Sequence, residues 1–167
     1  MSSFKKIIFA FAIVAISIQT SFAEGIIFQD LSLKEGLEKA QKENKQIFID
    51  VYATWCGPCK LLDKNTFQNP DVATYINKNY YAVKFNAEGN TDVTFKEKTY
   101  SNPNFDPSKK GRNSQHELAG SFGVNAYPTI VFIDENGGLI APIPGYKAPN
   151  QLEIFLKLFA TNTSRQQ

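Results

Sequence analysis

The sequence predicts an α/β fold, with one central mixed sheet that ends in an antiparallel hairpin and helices on both faces. Three observations predict it. Short apolar runs rich in β-branched and aromatic residues, at 46–53, 80–85 and 129–134, are separated by segments of helical periodicity; that alternation feeds a sheet with crossover helices. Asn136-Gly137 then turns the third run back into residues 139–143, and Asn-Gly is a strong hairpin signal. The chain has 167 residues, 43% hydrophobic and 20% charged, enough for one packed domain and too apolar for disorder.

Each element has its own signal. Residues 26–28 form a short apolar stretch that predicts an edge strand. Ser32-Leu33-Lys34-Glu35 has the form of a capping box, which satisfies free N–H groups at a helix start. Leu33, Leu37 and Ala40 follow at helical spacing, and that helix is expected to end at Lys45 and Gln46. Residues 46–53 are near-continuously apolar, as in a buried strand. A helix carrying Leu61 and Leu62 is expected after Cys56. Another opens at Asn69-Pro70, where the missing proline N–H does little harm. Residues 80–85 read as a second buried strand, parallel to the first. Between about 86 and 113 the pattern dissolves into Gly, Asn, Pro, Ser and Lys. Ser114-Gln115-His116-Glu117 has the form of a second capping box, with Leu118 and Phe122 on one face and His116 toward solvent. After the hairpin, Pro149 opens a last helix with Leu152, Phe155, Leu156 and Phe159 in one stripe.

Charge and cysteine usage narrow the function classes. Net charge is +2, so no strongly basic footprint for nucleic acid is present. Lys5 and Lys6 precede an apolar run at 7–18, and small residues at Ser21 and Ala23 follow. This order reads as a secretory signal at 1–23, cut before Glu24, leaving a single domain at 24–167. The alternative is a membrane anchor, but a span needs about 20 apolar residues. Residues 1–23 carry two lysines and no acid, so 16 basic and 16 acidic residues remain. Export would place the chain's two cysteines in an oxidising compartment.

Those cysteines stand in Trp55-Cys56-Gly57-Pro58-Cys59-Lys60, where a buried strand gives way to a helix. A Cys-x-x-Cys at such a βα unit reads as a redox motif. The helix start favours a thiolate at Cys56, and Cys59, one turn on and deeper, can resolve it. A zinc site would need further ligands that one histidine cannot supply. A static disulfide closing so small a loop would add little stability. Asp50 lies in an apolar strand, where a carboxylate must be paired or protonated. Burial would raise its pKa and suit it to exchange a proton with Cys59; the alternative is an acid at a strand edge, satisfied by water. Lys84 either approaches Asp50 or snorkels from the sheet end. Pro128 is expected at the start of a strand, with Tyr127 beside the cysteines and Trp55 shielding an exposed thiol.

Trp-Cys-Gly-Pro-Cys-Lys at 55–60 resembles the active-site motif of the thioredoxin family. The resemblance extends to Asp50, six residues before Cys56, and to Lys84 as the lysine that approaches that acid. It also covers Tyr127-Pro128-Thr129 as the cis-proline segment and Gly145 as a glycine near the substrate groove. Lys64-Asn65-Thr66-Phe67 and Asn69-Pro70-Asp71-Val72 resemble the secreted branch that includes the C-terminal domain of the membrane-linked disulfide reductase. The family implies a thioredoxin-like fold and a thiol–disulfide oxidoreductase. Cys56, Cys59, Asp50 and Lys84 would be catalytic, and Trp55, Gly57, Pro58, Tyr127, Pro128 and Gly145 would meet substrate. It implies no cofactor, protein disulfides as substrates, a membrane electron donor and a monomer. Gly57-Pro58 resembles reducing members; a dithiol oxidase or isomerase, or a peptide-binding module, are the alternatives. From Asn86 to Pro128 is 42 positions, about twice what the resemblance implies. The excess, at about 87–113, is expected to be a solvated loop without a core of its own, either functional or merely tolerated. Its basic cluster of Lys109, Lys110 and Arg112 is offset by Glu88, Asp92, Glu97 and Asp106 and reads as solvated charge rather than an anion site.

Overall fold

The computed structural model of the protein describes residues 25–29 and 32–163. The expected secretory signal at 1–23 lies outside the described residues. Helix α1 (Leu33–Glu43) starts at the capping box: the Glu35 N–H donates to Ser32 Oγ at 3.2 Å, and the Ser32 N–H donates to Glu35 Oε2 at 2.9 Å. It ends two to three residues earlier than expected, because Asn44 takes a left-handed conformation with φ 52°. Gln46 already belongs to strand β1 (Gln46–Tyr52). Helices α2 (Gly57–Asn65) and α3 (Pro70–Asn79) follow, and Asn69 Oδ1 caps α3 by accepting from the N–H groups of Asp71 and Val72. Strand β2 (Tyr80–Asn86) runs parallel to β1, with Asp50 opposite Lys84.

The sheet order is β2-β1-β5-β6, where β5 is Thr129–Ile133 and β6 is Leu139–Pro144. Both members of this hairpin are antiparallel to their neighbours, and β5 rather than an outer strand lies against β1. Gly137, at φ 78°, occupies the Asn-Gly turn, and Asp134 Oδ1 accepts from the N–H groups of Asn136 and Gly138. Helix α5 (Pro149–Thr163) buries Leu152 and Leu156, with Phe155 and Phe159 packed beside them.

Successive strand side chains point to opposite faces, and β1 divides the core accordingly. Ile47, Ile49 and Val51 pack with α1 and with helix α4 (Glu117–Ser121). Phe48 packs on the other face with Leu62, Val72, Ile76 and Leu156, from α2, α3 and α5. The same alternation puts Asp50 and its neighbour Lys84 on the α2 side.

Four expectations are corrected. Residues 26–28 form no strand. The Ile26 N–H bonds to Phe67 O in the turn after α2, the Ile27 N–H to the Asn77 side chain of α3 and the Gln29 N–H to Ala82 O of β2, so the donors are scattered and no ladder forms. The stretch at 87–113 contains an antiparallel hairpin, β3 (Val93–Phe95) and β4 (Lys98–Tyr100). It does reach the core, because Phe95 is buried edge-on against Phe122 at 5.4 Å. Asn102 ties the stretch together: its amide donates to Gly89 O and Ser114 O, and its oxygen accepts from Ser114 Oγ. That bond takes Ser114 out of the expected capping box, and α4 is capped instead by His116. His116 is only 1% exposed. The Leu118 N–H donates to its Nδ1, which leaves Nε2–H to donate to Thr91 O at 3.1 Å. With both ring nitrogens satisfied and Phe85 edge-on at 5.2 Å, it is a structural residue of the core.

Candidate active site

Cys56 is the N-cap of α2. Pro58 sits in the first turn, where its missing N–H costs no helical bond. Cys56 and Cys59 form a disulfide with Cα atoms 5.4 Å apart, and Cys56 Sγ accepts from the Cys59 N–H at 3.2 Å. Free N–H groups and the helix dipole converge on that sulfur, which favours negative charge there on reduction. The expectation of an exposed Cys56 and a deeper Cys59 is corrected. Cys56 is 1% exposed and Cys59 is 4%, because Tyr52, Trp55 and Tyr127 pack over the pair. Helix position, not depth, distinguishes the two sulfurs.

The elements bring the expected neighbours together. Tyr127-Pro128 is a cis peptide bond at the start of β5. The Tyr127 ring meets Trp55 edge-on, with centroids 6.0 Å apart. Gly145, at φ 81°, donates its N–H to Pro128 O at 2.7 Å, so the β6 end braces the cis-proline turn. At Gly57 a side chain would meet nothing within 4 Å, which leaves open space beside the disulfide.

Below this, Asp50 is 2% exposed, and its Oδ2 accepts from Lys84 Nζ at 2.8 Å. Its buried Oδ1 has no hydrogen-bond partner. Burial raises the Asp50 pKa to about 6; the Lys84 charge and hydrogen bond pull it down without reversing the shift. Burial would lower the Lys84 ammonium, yet its two carboxylate partners hold it above its ordinary value. The second partner is Asp63, whose Oδ1 accepts from Lys84 Nζ at 2.6 Å. Lys84 also lies over the Phe28 and Tyr52 rings, at 4.8 and 5.2 Å. Lys84 therefore joins a buried carboxylate to one at the surface.

Sequence reasoning missed Asp63, and read Glu88 and Arg112 only as charges of a solvated loop. Asp63 is four residues after Cys59, one turn along the same helix, and that spacing was its only signal. Glu88 Oε2 accepts from Trp55 Nε1 at 2.7 Å and from the Asn113 N–H at 2.8 Å. The Arg112 guanidinium lies 4.2 Å from the centre of the Trp55 ring. These contacts fasten the 87–113 stretch to the residue before Cys56.

Residues 33–160 match the family of the thioredoxin-like domain. The chain belongs to that family. Among curated relatives it is 35% identical over 60 residues to spermatogenesis-associated protein 20 from Rattus norvegicus, covering 36% of this chain and 8% of that protein. The thioredoxin-like chain therefore spans only a small part of that relative's length. It is 26% identical over 135 residues to the thiol-disulfide oxidoreductase ResA from Bacillus thuringiensis, covering 81% of this chain and 75% of ResA. Among solved structures it is similar to a "putative disulphide-isomerase" from Bacteroides thetaiotaomicron. That match has 33% identity and a TM-score of 0.56, and covers 80% of this chain and 92% of the other.

Proposed function

We propose that this thioredoxin-like chain is an exported thiol–disulfide oxidoreductase that reduces protein disulfides. The observation that carries the reading is the redox-ready pair at the start of α2, covered by Trp55 and faced by the cis Tyr127-Pro128 turn. In the reduced enzyme the Cys56 thiolate attacks a substrate disulfide. One substrate sulfur leaves as a thiolate and a mixed disulfide forms. Cys59 then gives up its proton to Asp50 and attacks Cys56 Sγ. The substrate's second sulfur leaves, and the substrate has gained two electrons while the enzyme has become the disulfide. Asp50, with a pKa of about 6, can take and return that proton near neutral pH. Lys84 holds Asp50 in place, and Trp55, Gly57, Pro58, Tyr127, Pro128 and Gly145 form the substrate surface. A membrane electron donor would return two electrons to the pair.

The likeness to a "putative disulphide-isomerase" supports a second reading, in which the same sulfurs reshuffle or oxidise substrate. Direction follows from reduction potential, which spans about 150 mV across such proteins. An insulin-reduction assay with a dithiol donor tests the activity: wild type should be active and Cys56→Ser inactive. Cys59→Ser should trap mixed disulfides with protein partners. Adducts recovered from Cys56→Ser instead would reverse the assignment of attacker and resolver. A potential near that of strong oxidants would favour the second reading.

A further inference from the structure

We infer that residues 109–112 build a subsite for an acidic side chain on the substrate peptide, beside the Cys56–Cys59 pair. The inference rests on the proposed activity and names the substrate class for that site. The first support is attachment. Arg112 stacks on Trp55, and Glu88 bonds to both Trp55 Nε1 and the Asn113 backbone. The segment therefore borders the Cys56–Cys59 pair at Trp55.

The second support is a cleft of about 250 Å3 between the segment and the end of β1. Its lining includes Thr54, Glu88, Asn90, Phe105, Lys109 and Lys110, so two lysines share it with one carboxylate. Thr54 is two residues before Cys56, so side chains flanking a substrate cysteine can reach the cleft. The third support is charge. Lys109, Lys110 and Arg112 are exposed, and none of the three forms an ion pair among the described residues. Two acids lie nearby, Glu88 in the cleft and Asp106 within reach of the Lys109 charge, and both accept hydrogen bonds from neutral donors. Glu88 Oε2 accepts the two bonds named above, and Asp106 Oδ1 accepts from the Ser108 N–H and Oγ. Three cations thus stand within four residues, although acids and bases balance beyond residue 23. A carboxylate entering here meets three exposed cations against the two acids Glu88 and Asp106, so the excess of positive charge favours it over a lysine.

The test uses three peptides with the same internal disulfide, flanked by Glu, Gln or Lys. At low salt, kcat/KM for the Glu peptide should exceed that for the Lys peptide about five- to tenfold, as a few exposed charge pairs allow. The preference should shrink at about 0.5 M salt, where screening acts over a few Å. It should invert in Lys109→Glu/Lys110→Glu. A second measurement is independent of turnover. Trp55 is the sole tryptophan, so its fluorescence reports cysteine-free Glu and Lys peptides binding to the oxidised protein. If the three disulfide peptides are reduced at one rate and the two cysteine-free peptides bind equally, the subsite is wrong and the activity stands. If none is reduced yet the Glu peptide still binds preferentially, the activity is wrong and the subsite stands. A Glu preference that persists in the double variant overturns the assignment to Lys109 and Lys110.

Discussion

Lys84 and Arg112 are each placed against an aromatic ring near a carboxylate, in two settings that differ in access to water. Lys84 bridges Asp50 and Asp63 on the α2 face, over Phe28 and Tyr52. Arg112 lies on Trp55, whose Nε1 is held by Glu88. At Lys84 one partner is fully buried, so desolvation dominates and the Asp50 pKa rises to about 6 despite a cation 2.8 Å away. At Arg112 the cation is exposed, and water screens it. Two cations on aromatic rings are therefore divided by burial and pairing: the inner one, ion-paired, tunes proton affinity, and the outer one, with no ion pair among the described residues, shapes what a partner meets.

The comparison breaks first if the 87–113 stretch is only a surface appendage. Phe95→Ala should lower stability by about 3 kcal/mol, because a buried ring is removed from the core it shares with Phe122. A loss under about 0.5 kcal/mol in urea unfolding, the range of ordinary surface changes, would return the stretch to the status of an appendage.

Asp50→Asn sharpens the inner half. The native pKa of about 6 lies above the ordinary 3.8, so the folded protein holds this proton more tightly than the unfolded chain. The stability that this contributes is complete below pH 3.8 and is lost as pH rises to about 6. The shift corresponds to roughly 3 kcal/mol. The variant should match wild type near pH 4 and exceed it by up to that amount above pH 6. The expected gain comes from burial, since the carboxylate is not unpaired. Parallel stability–pH curves for the two proteins would refute the assignment. The turnover rate of the variant should fall most near neutral pH, and an unchanged pH–rate profile would remove Asp50 from the proton step.

Lys84→Met should cost about 2 kcal/mol at pH 8 and almost nothing at pH 4. Removing one partner strands a buried charge, but Lys84 is a third exposed and Asp50 can neutralise itself. Equal losses at both pH values would show that the lysine stem, not its charge, matters. The smallest effect belongs to the rim. Arg112→Gln should lower stability by about 0.5 kcal/mol, the scale of an exposed cation–π contact, and should change the Trp55 emission. An unaltered spectrum would mean that the stack does not persist in solution.

What was legible in the sequence was local or periodic. The 55–60 motif, the Ser32 capping box and the Asn136-Gly137 turn each fit within six residues. The Asp50–Lys84 pair follows from two apolar strands and strict alternation, and the parallel register places them side by side. The Phe95 hairpin was hidden because its strands have three residues each, and the left-handed turn position is Lys96 rather than Gly or Asn. His116 was misread because a polar residue shows its burial only once both ring nitrogens have partners. The contacts of Glu88 and Arg112 were invisible because these residues meet Trp55 across 33 and 57 positions of chain, a distance no periodicity spans.

The oxidised sulfurs turn almost no surface to solvent. On the proposed function, that makes the pair an insulated terminal. A small dissolved thiol reaches the sulfurs only when Trp55 or Tyr127 swings aside and so reacts slowly, whereas a macromolecule that displaces either ring makes its own opening. Current in and out of the terminal then depends on shape recognition more than on driving voltage. Two opposed redox circuits could share one compartment with little leakage between them.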